Sequence, residues 1–383
     1  MTENTPFHPA LLPAGFVDLL PTDARDEAEG TETLMTVFDS HGYERVRPPL
    51  LEFEDTLLAG SGTALADQAF RMMDPDTRRM MALRPDITPQ VARIAATRLA
   101  ASPRPLRLCY AGQSVIVGGS AAASESGRQL GQAGIELIGP DSAAADAEVV
   151  AVAAEAISCL GVTDVSFDLT MPLLARTIID SANLTAQART TLVHALDRKD
   201  AAVVAATGGS VAQVLIALLQ AAGPADRALE VLAGLDLPQE ARRHSERLAA
   251  TAAEIRRRAY GIRLTVDPVE FRGWNYHTGV CFTVYSASSR EELGRGGRYL
   301  CNDNEPACGL TLRPDALFRV AVPRQGRLRV FVPMGEDVEA TERLRREGYA
   351  TLAALEPVAD AKGEARRQGC SHLLQDGVLS ALD

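Results

Sequence analysis

In the segment "GQAGIELIG", Gln132 and Glu136 stand four residues apart among small and apolar neighbours. If the segment is a strand, its period of two puts the amide and the carboxylate on one face. A second segment, "LRPDITPQ", supplies Asp86 and Thr88; a third, "FRGWNYHTG", packs Arg272, Trp274, Tyr276 and His277 around two glycines and holds the chain's single tryptophan. Along the third segment Arg272, Trp274 and Tyr276 alternate on one face. His277 belongs to the other unless a bulge near Gly273 or Gly279 re-aims it. Taken singly, Asp86, Gln132, Glu136, Arg272 and His277 each read first as a strand residue facing solvent or satisfied locally. If the three segments share one sheet, a carboxylate, an amide, a guanidinium and an aromatic ring line one concave surface. Such a surface suits a small zwitterion.

Other chemistries find little support. The glycine-rich "GGRY" (Gly296 to Tyr299) is not a phosphate loop, and no GxGxxG, GxxxxGKS, GxSxG, HExxH or acidic EF-hand loop occurs. Six cysteines, at 109, 159, 281, 301, 308 and 370, never form a Cys-x-x-Cys pair. They read as reduced core or strand residues, with no zinc knuckle or thioredoxin-type motif. No metal or cofactor is expected. The formal net charge of −11 argues against a surface built to neutralise phosphates, so no nucleic-acid partner is expected. The N-terminal residues lack a basic stretch followed by an apolar run, and no segment approaches the roughly 18 apolar residues of a membrane helix. A cytoplasmic protein without membrane attachment is the expectation. With 383 residues, 46% of them hydrophobic, the chain can build one large domain and a smaller one.

The elements that must position these residues follow from periodicity. "TDARDEAEGTETLMTVFDSHG" reads as an amphipathic helix capped by Thr22 or Asp23 and stopped by Gly42. "YERVRPPLLE" is a short boundary strand broken by Pro48 and Pro49. "MMALRPDITPQVARIAATRLA" is a strand feeding a helix; "LRLCYAGQSVIV" and "RQLGQAGIELIG" form an antiparallel hairpin around the small polar loop Gly118 to Gly127. A helix from Ser142 to Leu160 leads to the strand "DVSFDLT". Residues 172–260 read as a mostly helical insertion. Strands then resume at "IRLTVD", "VEFRGW", "VCFTVYS", "GRGGRYL" and "ACGLTL". The tail, 326–383, alternates strand and helix as a small α/β module. The fold class expected is α+β, a core of 1–171 and 261–322 interrupted by the helical insertion.

"GYERVRPPLLE", "MALRPDITPQVARI", "RQLGQAGIELIG", "FRGWNYHTGVCF" and "GRGGRY" followed by "PACGLTL" resemble, in order, the segments of the class II histidyl-tRNA synthetase core. The resemblance runs from about residue 10 to 320, and the tail resembles a truncated anticodon-binding module. It implies an antiparallel sheet with flanking helices. It also implies that residues matching Asp86, Thr88 and Gln132 hold the α-amino group of histidine, and that Glu136 takes the imidazole. His277 stands where the synthetases have a second imidazole partner, a tyrosine; Asn275 stands in place of an aspartate. The full set expected to line a histidine site is Asp86, Thr88, Gln132, Glu136, Arg272, Tyr276 and His277.

The departures lie on the nucleotide side. The hairpin arginine and glutamate of the synthetases match Ile116 and Gly118, and their Glu-Arg-Leu before the last helix is Asp315-Ala316-Leu317 here. Without these arginines, charge developing on an α-phosphate loses its donors, and such electrostatic stabilisation is usually the largest catalytic term. The lost hairpin arginine also contacts the amino-acid carboxylate in the synthetases. A synthetase-like chain with a partial histidine pocket, no ATP-site arginines and a curtailed tail resembles the ATP phosphoribosyltransferase regulatory subunits. That resemblance implies a catalytically silent chain, L-histidine as effector and the short-form catalytic phosphoribosyltransferase as partner. It further implies a homodimer, through "YERVRPP" and the preceding helix, within a hetero-octamer. A divergent histidyl-tRNA synthetase is the competing expectation, and a paralogue performing another amino-acid transfer a third.

Overall fold

The computed structural model describes residues 11–118, 127–259, 261–270, 276–287, 289, 291–301, 304–322 and 325–382. The chain divides into two compact units at residues 322 and 323. Strands of the first unit are β1 (Glu44–Arg45), β2 (Leu51–Phe53), β3 (Arg71–Met73), β4 (Met80–Leu83), β5 (Leu106–Val115) and β6 (Gln129–Ile138). They continue as β7 (Val165–Thr170), β8 (Gly223–Pro224), β9 (Arg263–Val266), β10 (His277–Ser286), β11 (Glu292–Leu300) and β12 (Pro306–Leu312). Nine of them form one sheet in the order β1-β5-β6-β12-β11-β10-β7-β9-β8. The central ladder from β5 to β7 is antiparallel, with parallel pairs at β1/β5 and β7/β9. Strands β2, β4 and β3 make a small separate sheet.

Register sorts the central strands into two faces. Glu136 is opposite Leu108 and Gly309, Gly309 opposite Gly297, and Tyr299 opposite Ala307 and His277. These residues share the front face. Ile135, Leu137, Cys308, Leu310 and Phe282 point the other way into the main apolar core. Helix α1 (Pro21–Ser40) and helix α3 (Ala143–Cys159) cover that back face, and helix α2 (Thr88–Thr97) packs on the front through Ile87, Val91 and Ala95. Residues 172–258 are helical apart from short connections and β8, ending in α4 (Gln239–Arg258); their Leu174, Ile178, Leu196, Leu215 and Leu248 join the back-face core. Helix α5 (Pro314–Val320) follows β12.

Two local expectations are corrected. Helix α1 begins at Pro21, with Leu20 as an N-cap lacking any side-chain bond. Proline at the first helical position has its φ preset and lacks only an N–H that would have no partner there, so it starts the helix ahead of Thr22 and Asp23. The strand expected at "VEFRGW" does not begin at 269. The Asp267 carboxylate accepts the Val269 N–H at 3.0 Å, an Asx turn that offers the backbone an alternative to a ladder. Residues 271–275 lie outside the described residues, as do 119–126 in the expected hairpin loop.

The second unit carries β13 (Arg329–Val332), β14 (Ala350–Ala353), β15 (His372–Gln375) and β16 (Val378–Ala381) in the order β14-β13-β15-β16. Helices Val338–Arg346 and Ala361–Arg367 connect the first three, which run parallel; β16 returns antiparallel through the turn at Asp376 and Gly377. No helix of the described residues is long and apolar enough to cross a membrane.

One ionic cluster ties the first unit together from behind. Asp146 on α3, with no solvent exposure, accepts Arg298 Nε of β11 at 2.8 Å and Arg247 Nη2 of α4 at 2.9 Å. Arg298 also donates to the Pro140 carbonyl at 2.9 Å. Removing one partner of such a group leaves a buried charge uncompensated. Asp146→Ala is expected to cost about 3–5 kcal/mol in urea unfolding, whereas the apolar double replacement Asp146→Leu with Arg298→Met recovers most of that loss.

Candidate functional site

The site is built where the N-terminus of α2 meets the front face of β6. Asp86 closes the turn after β4, its Oδ1 accepting the Thr88 N–H at 2.7 Å. From β6, Gln132 answers it twice: Nε2 donates to Asp86 Oδ2 at 3.2 Å, and Oε1 accepts the Ile87 N–H at 3.0 Å. The Thr88 hydroxyl meets Tyr110 OH of β5 at 3.1 Å, and Tyr110 OH meets Thr311 Oγ1 of β12 at 2.7 Å. Farther along β6, Glu136 is 1% exposed, and Tyr299 of β11 donates to its Oε2 at 2.8 Å. Strand β12 lies between them. It passes because residue 309 is glycine: a Cβ there would overlap the Glu136 carboxyl.

Tyr276 and His277 join the same face. The β10/β11 register shifts between His277 and Cys281, so His277 stands opposite Tyr299. The Tyr276 and His277 rings lie 4.0 Å apart, and Tyr276 meets Tyr299 edge-on at 6.0 Å. The structure therefore brings together Asp86, Thr88, Gln132, Glu136, Tyr276 and His277. Arg272 lies outside the described residues. Sequence reasoning missed Tyr110, Tyr299 and Thr311. Each is an ordinary strand residue whose importance rests on register across neighbouring strands.

Burial sets the electrostatics. Desolvation pushes the Glu136 carboxyl up to about 8, against the pull of its Tyr299 hydrogen bond. It also raises Asp86, opposed by the Thr88 N–H and Gln132. His277 is pushed down to about 3 by burial and then by the Arg295 charge, which makes it a neutral imidazole. Around neutral pH Glu136 is thus mostly protonated. The pocket offers hydrogen-bond acceptors for a cationic or N–H-bearing ligand, which compensates the desolvation. Such a pocket can bind and orient a small ligand.

The two positions that match the nucleotide-side arginines of the synthetases are apolar and buried. Ile116 is 2% exposed and bridges to Ala69; its N–H donates to the Arg128 carbonyl at 2.8 Å. The Arg128 guanidinium carbon lies 5.2 Å from the Phe16 ring centre and 4.8 Å from that of Phe70. Ala316, at the start of α5, is 1% exposed.

The Glu136 pKa gives a signed prediction. Because the folded-state value is raised from 4.5 to about 8, its contribution is fully present below pH 4.5 and is lost as pH rises through 8. Glu136→Gln keeps an acceptor for Tyr299 but cannot ionise. The variant is expected to match the wild type toward pH 4.5 and to exceed it by on the order of a few kcal/mol at pH 9, read by urea denaturation across pH.

The histidyl-tRNA synthetase family model matches residues 15–317. The chain is 56% identical over 373 residues to an ATP phosphoribosyltransferase regulatory subunit of Gluconobacter oxydans, covering 97% of each chain. It is 48% identical to the one of Paramagnetospirillum magneticum over 99% of each. Among solved structures, an ATP phosphoribosyltransferase regulatory subunit/histidyl-tRNA synthetase from Bacillus halodurans superposes with a TM-score of 0.81 at 22% identity, covering 96% of this chain and 97% of that one. A histidyl-tRNA synthetase from a Nostoc species gives 0.78 at 20%, covering 95% and 91%. The structural likenesses establish the class II synthetase-like fold, and the sequence likenesses place the chain more narrowly: it belongs to the ATP phosphoribosyltransferase regulatory subunit family.

Proposed function

We propose that the chain is a non-catalytic subunit that joins a short-form catalytic ATP phosphoribosyltransferase, serves the first step of histidine biosynthesis and conveys feedback inhibition by L-histidine. One contrast carries this reading: the residues matching the amino-acid side of the synthetases are polar and hydrogen-bonded, while Ile116 and Ala316, which match the nucleotide side, are apolar and buried. Histidine would place its imidazole N–H on Glu136 beside Tyr276 and His277, and its ammonium on Asp86 with Thr88 and Gln132. Arg272 completes the proposed set. Acceptors of this kind match both donors of the ligand. A divergent synthetase would need cations where Ile116 and Ala316 stand.

Inhibition is then a coupling free energy between the histidine site and the partner, typically about 1–3 kcal/mol and reciprocal, so partner ligands alter histidine affinity by the same factor. The assembly unit is proposed to be a homodimer through α1 and the segment from Tyr43 to Pro49, within a hetero-octamer. In support, β1 pairs only Leu108 and Cys109 of β5 and leaves the rest of that edge to be covered.

Calorimetry tests the reading. The purified chain is expected to bind L-histidine and not ATP, to catalyse no histidine-dependent pyrophosphate exchange, and to confer histidine-sensitive activity on the catalytic subunit. Glu136→Gln should weaken histidine by about 10- to 100-fold, the loss of a charge-assisted hydrogen bond. ATP binding with adenylate formation would return the chain to the synthetases. A monomer at micromolar concentration in small-angle scattering would remove the dimer from the proposal.

A further inference from the structure

Ile116 deprives an amino-acid ligand of the cation that the synthetase resemblance would place on its carboxylate, and a different buried arginine lies against the same site. Arg84, 7% exposed, precedes Asp86 in the turn between β4 and α2. Its Nε donates to the Gln113 carbonyl at 2.8 Å; its Nη1 donates to the Pro48 carbonyl at 3.0 Å and reaches Gln90 Oε1 at 3.4 Å. Among the described residues Nη2 makes no hydrogen bond and no ion pair. This nitrogen rests on Gly112, where a Cβ would overlap it. Gly112 is the strand partner of Gln132 and shares its face with Tyr110. The unspent N–H groups therefore lie on the front face, beside the amide that holds Asp86.

Arg84, Gly112 and Gln132 all border a cleft of about 790 Å³, with Arg47 on its rim. Burial lowers the Arg84 pKa from its ordinary value, while Asp86 and Glu52 draw it upward and Arg47 opposes them. A carboxylate at Nη2 would complete the arginine and relieve its repulsion from Arg47. The order along the face fits one ligand. Glu136 lies at one end, and at the other Asp86 and Gln132 stand together with Arg84, as an imidazole and a Cα bearing both ammonium and carboxylate require.

We propose that Arg84 Nη2 holds the α-carboxylate of the bound amino acid, so that the site selects free histidine over its reduced and decarboxylated analogues. This assignment rests on the histidine reading above. The experiment is calorimetry of the full chain with L-histidine, L-histidinol and histamine. The wild type is expected to bind histidine about 10- to 100-fold more tightly than either analogue, the range of a hydrogen bond to a charged group. Arg84→Met should bring histidine down to the level of histidinol and leave histidinol unchanged, with circular dichroism and melting confirming that the variant folds. The wild-type comparison stands even if that variant does not fold. Equal affinity of the wild type for histidine and histidinol overturns the assignment alone. Absence of binding by all three removes the histidine reading and this assignment with it. Equal weakening of histidine and histidinol in Arg84→Met makes the residue structural and also overturns it.

Discussion

The Asp146–Arg298 pair fixes the strand on which the site depends. Arg298 and Tyr299 are consecutive on β11, so the period of two sends one to each face. Behind the sheet, Arg298 is held by a fully buried carboxylate on α3, which Arg247 of α4 also binds. In front, Tyr299 reaches Glu136. A slip of one residue would exchange the two side chains, placing a guanidinium under the pocket and a phenol against Asp146. The ionic cluster costs desolvation, as buried pairs do; in return it specifies a register on which the placement of Tyr299 depends. Because Arg247 comes from the helical segment, that segment and the sheet cannot shift independently without breaking the same cluster.

The front face follows a different physical rule. Its carboxyl groups are surrounded by hydroxyls and an amide, and burial raises both Asp86 and Glu136. Such a pocket is strained electrostatically when empty and is relieved by a ligand bringing positive charge and N–H donors. Sterics sharpen it: glycine at 309 lets β12 pass under the Glu136 carboxyl without displacing it. Ile116 and Ala316, at positions that the synthetase resemblance would give to cations, are buried. The stack of Arg128 with Phe16 and Phe70 uses a cation for packing, an interaction worth about 0.5–2 kcal/mol.

Much of this was legible because the signal was local. The four-residue spacing of Gln132 and Glu136 gave their shared face, and the helix expected from Ser142 is present as α3, where the Ser142 Oγ accepts the Ala145 N–H at 3.2 Å. The partners of these residues were less accessible. Tyr299 reaches Glu136, 163 residues away in sequence, across β12, and no periodicity within one strand carries that information. His277 turned on a register shift, a matter of strand pairing that the glycines flanking it only suggested. Local competition explains the corrected elements: Pro21 outranks Thr22 and Asp23 as a helix start, and the Asp267 side chain captures the backbone that β propensity would have extended.

A continuous set of bonds runs from the site to the sheet edge. Gln132 binds Asp86 and the Ile87 N–H, which fixes the start of α2. One turn on, Gln90 Nε2 donates to the Pro49 carbonyl at 2.8 Å and to Glu52 at 2.9 Å, and Arg93 Nε donates to Glu52 at 3.0 Å. Pro49 ends the segment proposed to face a second copy, and Glu52 follows it on β2. Contiguity alone does not make an allosteric path; a member with two arrangements is needed. Under the histidine reading proposed above, the Asp86–Gln132 bond is where a second arrangement would arise, because a ligand ammonium would compete with the Gln132 amide for the same carboxylate. Its exchange would alter the anchoring of α2, and with it the two contacts through which α2 holds the edge segment. Arg84, which binds the Pro48 carbonyl with one nitrogen and leaves another on the site face, would join the same two places by a second and shorter route.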